Sequence, residues 1–167
     1  MTGAPPPLLV YYSRTGTTAA VARAVEERLP EPEVERVRPT KRRRYPNWLA
    51  RSFVPGSTVP IEPVDHDPRD REAVFLGTPK WTLSCPPVNA YLDRVRFEGA
   101  AVGLFLTFGG FDEERYARRL DERLREAGAD AVETLLLKRD RVEAGPGAYE
   151  DDVSAFVEDV LASADGG

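Results

Sequence analysis

The chain has 167 residues, of which 41% are hydrophobic and 31% charged, with a net charge of −5. That length fits one domain with a sizeable core, and no apolar run is long enough to span a bilayer. One cysteine, Cys85, excludes an intramolecular disulfide and leaves no thiolate cluster for a structural zinc. The acidic balance argues against a general nucleic-acid binder.

Met1 to Pro7 has no basic region ahead of its short apolar run, so it does not resemble a secretory signal, and the cytoplasm is the expected compartment. This arm should be flexible. Leu8 to Tyr12 reads as a continuously apolar strand, and Ala20 to Leu29 as a helix with Val21, Val25 and Leu29 on one face, ended by Pro30 and Pro32. Between them lies Ser13-Arg14-Thr15-Gly16-Thr17-Thr18. Backbone N–H groups and hydroxyls gathered at a helix N-terminus favour a phosphate, whereas an ordinary turn capped by Thr17 or Thr18 accounts for the same residues without a ligand. The loop lacks the lysine of G-x-x-x-x-G-K-[ST] and the spacing of G-x-G-x-x-G, so any phosphate is expected to be that of a mononucleotide.

A weaker strand, Val34 to Val37, leads into a proline-rich connection over 39–71. Arg36 to Arg51 holds seven basic residues and no acid, with Tyr45 and Trp48 among them. A solvated connection explains this run, and so does a surface for an anionic partner. His66, the single histidine, lies in the polar turn Asp65-His66-Asp67-Pro68 and receives no role.

Ala73 to Leu76 is the third strand, and Pro86-Pro87 opens a helix with Val88, Leu92 and Val95 inward. Ala101 to Thr107 is the fourth strand, followed by the turn Phe108-Gly109-Gly110-Phe111. Asp112 is expected to cap a helix striped by Ala117, Leu120, Leu124 and Ala127, which ends at Gly128. Ala131 to Leu137 gives the fifth strand. The last helix starts near Tyr149 with Val153, Phe156, Val157, Val160 and Leu161 inward, and 163–167 reads as a frayed tail. Apolar strands alternating with amphipathic helices imply a parallel sheet covered on both faces, a three-layer α/β/α sandwich.

In such a sheet the strand-to-helix loops share the carboxyl edge, and ligands bind where the strand order reverses. Three loops there carry distinctive chemistry. Ser13 to Thr18 offers a phosphate site; Thr78 to Cys85 offers a proline-stiffened turn with Trp81 for a planar ring; Thr107 to Phe111 offers unobstructed backbone N–H groups at Gly109 and Gly110. A half-buried Trp81 and a plain glycine turn remain the simpler readings of the last two.

These segments resemble the flavodoxin family, whose first loop has the form S-x-T-G-N-T, whose second follows G-[ST]-P, and whose third is glycine-rich. The matching residues are Ser13 to Thr18, Gly77-Thr78-Pro79-Lys80-Trp81, and Thr107-Phe108-Gly109-Gly110. The resemblance spans Leu8 to about Leu161 and is weakest from Pro39 to Arg71. It implies a five-stranded sheet of order 2-1-3-4-5, a short-chain member without an insertion in the fifth strand, and flavin mononucleotide (FMN) as cofactor. Ser13, Arg14, Thr15, Gly16, Thr17 and Thr18 would hold the phosphate. Pro79, Lys80, Trp81 and Thr82 would contact the isoalloxazine, with Thr107, Phe108, Gly109 and Gly110 on its other side. Thr17 departs from the family's Asn, though either side chain can accept from a backbone N–H.

The resemblance implies a redox protein that needs no catalytic triad, since the flavin carries the chemistry and the protein tunes it. Lys80 is expected near the pyrimidine edge, favouring the anionic reduced ring. An electron carrier serving a partner protein and an oxidoreductase serving a small acceptor such as a quinone both fit. The alternative is an interaction module that has lost flavin and binds an anionic partner through 36–51. A redox role for Cys85 lacks a resolving cysteine.

Overall fold

A computed structural model describes residues 3–42 and 44–166. Five parallel strands form its centre: β1 (Leu8–Tyr11), β2 (Glu33–Arg36), β3 (Ala73–Pro79), β4 (Ala101–Phe108) and β5 (Ala131–Lys138). Their order is β2-β1-β3-β4-β5, all in parallel register. β3 and β4 are buried almost throughout, as strands covered on both faces must be, whereas β2 and β5 at the edges are only partly covered.

The helices are α1 (Thr17–Glu26), α2 (Tyr45–Ser52), α3 (Pro86–Arg94), α4 (Glu113–Glu126), α5 (Arg139–Glu143) and α6 (Glu150–Asp165), with a 3₁₀ turn at Pro146–Ala148. One core gathers Leu8, Val10, Val74 and Leu104 with residues of α2, α3 and α4. The other gathers Leu9, Phe75 and Phe105 with α1, α5 and α6. The alternation along each central strand thus divides the apolar residues between two helical layers. None of the described helices is long and apolar enough to cross a membrane.

Several boundaries differ from the sequence reading. α1 starts at Thr17, and its N-cap is Gly16 at φ 100°, with no side-chain cap from Thr17 or Thr18. Asp112 does precede α4, but in the left-handed region at φ 63° and without a side-chain cap bond; Glu113 and Glu114 complement the helix dipole instead. Gly128 ends that helix at φ 104°, a conformation glycine adopts without a Cβ penalty. The expected frayed tail is helical through Asp165, and the Ser163 hydroxyl donates to Glu133 Oε1 at 3.3 Å. At the other end, the Pro6 and Pro7 carbonyls accept from Arg71 Nη1 and the Glu33 N–H, both at 3.0 Å.

The largest correction concerns 39–71. It contains α2, and Trp48, Val59 and Ile61 from this segment are buried in the core, so it is more than a connection, although Arg36, Arg38, Lys41, Arg42 and Arg44 of the basic run are exposed. Pro46 stands in the first turn of α2, where its fixed φ suits a helix start. Among the described side chains of α2 the buried ones are Trp48 and Ser52, one turn apart. A serine on the inner face hides the apolar periodicity. It is tolerated because its Oγ donates to the Leu49 carbonyl at 2.7 Å and shares a 2.7 Å hydrogen bond with Thr82 Oγ1.

Cys85 precedes α3 as its N-cap and is completely buried. Burial pushes its thiol up to about 12, so it carries almost no thiolate at neutral pH. A redox-active role is not supported by that environment. At about pH 8 the native protein should resist alkylation by iodoacetamide and react only after unfolding in guanidinium. Rapid stoichiometric labelling of the native protein would contradict the burial.

Candidate functional site

The carboxyl ends of β1, β3 and β4 meet at a cavity of about 300 Å³. The first loop contributes Ser13, Arg14, Thr15, Thr17 and Thr18. Its shape follows from one local bond and one turn: the Ser13 hydroxyl accepts from the Gly16 N–H at 3.1 Å, and Gly16 turns the chain into α1 with a positive φ. Ser13 and Thr18 are buried, whereas Arg14 and Thr15 are exposed. Thr18 Oγ1 lies 2.7 Å from Thr107 Oγ1, joining the first loop to the end of β4. α1 has no acidic residue in its first turn, so nothing offsets the positive end of its dipole there.

The second loop contributes Pro79, Lys80 and Trp81 to the cavity wall. The Lys80 N–H donates to the Thr107 carbonyl at 2.7 Å, which pins this loop to the third. The Lys80 ammonium lies 5.2 Å from the centre of the Phe111 ring, a cation–π distance. Trp81 packs against two further rings, with centroids 5.8 Å from Tyr12 and 5.5 Å from Trp48. Burial in this cluster pushes the Tyr12 phenol well above its ordinary pKa, so it is a neutral hydroxyl at all physiological pH values.

Thr107, Phe108, Gly109 and Gly110 complete the wall from the third loop. A Cβ on Gly110 would meet nothing within 4 Å, so the backbone there is open to a ligand. Gly16 and Thr82, expected among the binding residues, do not line the cavity. Gly16 shapes the first loop from behind, and the Thr82 hydroxyl is turned to Ser52.

Two lining residues were not anticipated. Leu49 comes from α2, and Arg139 from the start of α5. Arg139 directly follows β5 and therefore emerges at the same sheet edge as the other loops, a rule that applies to every parallel strand. α2 is fastened to the second loop, since the Leu83 N–H donates to the Ser52 carbonyl at 2.9 Å and the Ser84 hydroxyl to the Val54 carbonyl at 3.0 Å. Leu49 is thereby held in the cavity wall. The lining includes three cations, Arg14, Lys80 and Arg139, and no carboxylate. Among the described residues, no group of His, Cys, Asp and Glu side chains is arranged to hold a metal ion.

The flavodoxin family model matches residues 9–156. An uncharacterized protein of Archaeoglobus fulgidus is 32% identical over 149 residues, covering 89% of this chain and 97% of its own. A solved structure from Bacteroides uniformis superposes with a TM-score of 0.72 at 19% identity, covering 93% of this chain and 99% of that one. A Lactobacillus acidophilus flavoprotein, solved in complex with FMN, superposes at 0.61 with 20% identity, over 84% of this chain and 97% of its own. The match to the family model covers all three loops of the cavity and, but for Leu8, every strand of the sheet, and the chain belongs to the flavodoxin family.

Proposed function

We propose that this protein binds FMN in the cavity at the carboxyl edge and passes electrons from a reductant to a small acceptor such as a quinone. The convergence of three loops on one cavity carries the reading: a hydroxyl-rich helix N-terminus, a tryptophan-bearing turn and an open Gly-Gly backbone. The donor set fits the cofactor. Hydroxyls and N–H groups of the first loop suit a phosphate, and a wall with three cations and no carboxylate suits an anion of that kind.

Bound there, FMN supplies hydride and electron transfer at its ring. The first loop holds the phosphate through the α1 N-terminus and the hydroxyls of Ser13, Thr15, Thr17 and Thr18. Trp81 is fixed by Tyr12 and Trp48 before any ligand arrives, so little side-chain order has to be gained on binding. Gly109 and Gly110 let backbone N–H groups approach the heteroatom edge of the ring, and Lys80 and Arg139 add positive charge that favours its anionic form. Leu49 adds an apolar surface to the wall on the α2 side. A concave wall that includes α2 favours a small acceptor over docking of a protein directly onto the ring.

The FMN-loaded protein should consume NADH or NADPH in the presence of a quinone faster than an equal concentration of free FMN. A rate no greater than that of free FMN would point to a carrier serving a protein partner. Replacing Lys80 by Ala should make the flavin potential more negative by about 10–20 mV, the equivalent of ~0.5–1 kcal/mol for a half-exposed charge. An unchanged potential would remove Lys80 from the tuning of the ring.

A further inference from the structure

A second cleft of about 590 Å³ adjoins the first and holds five cations, Arg14, Arg36, Lys41, Arg42 and Arg44, without a carboxylate in its lining. We propose that this cleft is a separate anion site, taking the phosphate groups of a small molecule held beside the flavin cavity. Three separate pieces of chain bring the cations together: the first loop, the carboxyl end of β2, and the segment leading into α2. Like charges gathered this way repel one another, and a bound polyanion relieves that repulsion. The chain is acidic overall, so the concentration of positive charge here does not follow from a basic composition.

Five arginines elsewhere, Arg69, Arg71, Arg123, Arg125 and Arg141, form ion pairs with carboxylates. None of the ion pairs among the described residues involves Arg36, Lys41, Arg42 or Arg44. Arg36 instead lies over the Tyr11 ring, its guanidinium carbon 5.9 Å from the ring centre. Guanidinium groups match phosphate oxygens in bidentate fashion, and the concave shape, backed by the buried rings of Tyr12 and Trp48, suits a small molecule.

The two cavities share Ser13 and Arg14, and consecutive residues of α2 face them, Leu49 the first and Trp48 the second. Arg36, Lys41, Arg42 and Arg44 line the second cavity and not the first, so they are not needed to hold a phosphate in the first loop. The cleft would select phosphate-bearing reaction partners over neutral ones. This selectivity rests on the flavin reading above, whereas the anion site itself does not.

Titration calorimetry of pyrophosphate into FMN-saturated protein at low salt tests the site, with citrate and a short polyglutamate peptide as comparisons. Pyrophosphate should bind one to one, more tightly than either comparison, and weaken as salt rises. Arg36→Ala and the double change Lys41→Ala with Arg42→Ala should each weaken it by about tenfold per cation removed, the scale of one charge-assisted hydrogen bond, while FMN affinity stays within about threefold. Lys41 and Arg42 are exposed and lie outside the helices, so the double variant should fold. No binding to FMN-saturated protein, equal binding by the variants, or a parallel loss of FMN affinity would overturn the proposal. Tighter binding of the peptide would overturn it in favour of a protein-docking surface. A wild-type protein that takes up no FMN would count against the cofactor and not the cleft. The same variants in flavin-free protein would then decide the cleft, where undiminished pyrophosphate binding would overturn it.

Discussion

The pairing of β1 with β3, while β2 lies on the other side of β1, is the constraint on which the rest of the molecule depends. Parallel pairing from Leu8↔Val74 to Tyr11↔Gly77 places the first two cavity-lining loops side by side at the carboxyl edge. The chain leaves β1 and β3 in opposite directions, and a crevice opens between the departing connections. Pairing of β3 with β4 then brings in the third loop, fixed by the Lys80 N–H to Thr107 carbonyl bond. Gly77 is part of this constraint, because a Cβ there would lie 2.2 Å from the Phe105 ring. Any side chain there would force the Phe105 ring of the neighbouring strand to shift.

Above this edge, the cluster of Tyr12, Trp48 and Trp81 converts a long connection into a wall. Each aromatic pair of this kind contributes about 0.5–1.5 kcal/mol beyond its buried area. Three hydrogen bonds between the end of α2 and the second loop join the same two segments. The cluster therefore does two things at once. It orients Trp81 for the cavity, and it sets α2 as the partition between a cavity suited to flavin and a cleft lined by cations.

Much of this arrangement was legible in the sequence. Strands such as Ala101 to Thr107 and helices such as that striped by Leu120 and Leu124 announce themselves by period, and Ser13 to Thr18 by its place between a strand and a helix. The strand order was not legible from period alone; it came with the likeness of the three loops to a known family. α2 was hidden because it is only eight residues long and turns Ser52 inward, where local hydrogen bonds replace apolar contact. The direction of the Thr82 hydroxyl was hidden for a related reason, since a hydroxyl in such a loop can face the protein as easily as a cavity. Arg139 escaped because the fifth strand carries no loop motif, although its position at the sheet edge would have identified it. Arg43, part of the basic run, lies outside the described residues.

The central claim is that the three loops form one flavin site, and the visible spectrum of the purified protein tests it most directly. After incubation with FMN and desalting, the protein should retain about one flavin per chain, with a perturbed absorbance band and quenched fluorescence, as expected of a ring set against Trp81. Complete loss of the flavin on desalting, with fluorescence equal to that of free FMN throughout the titration, would contradict the account.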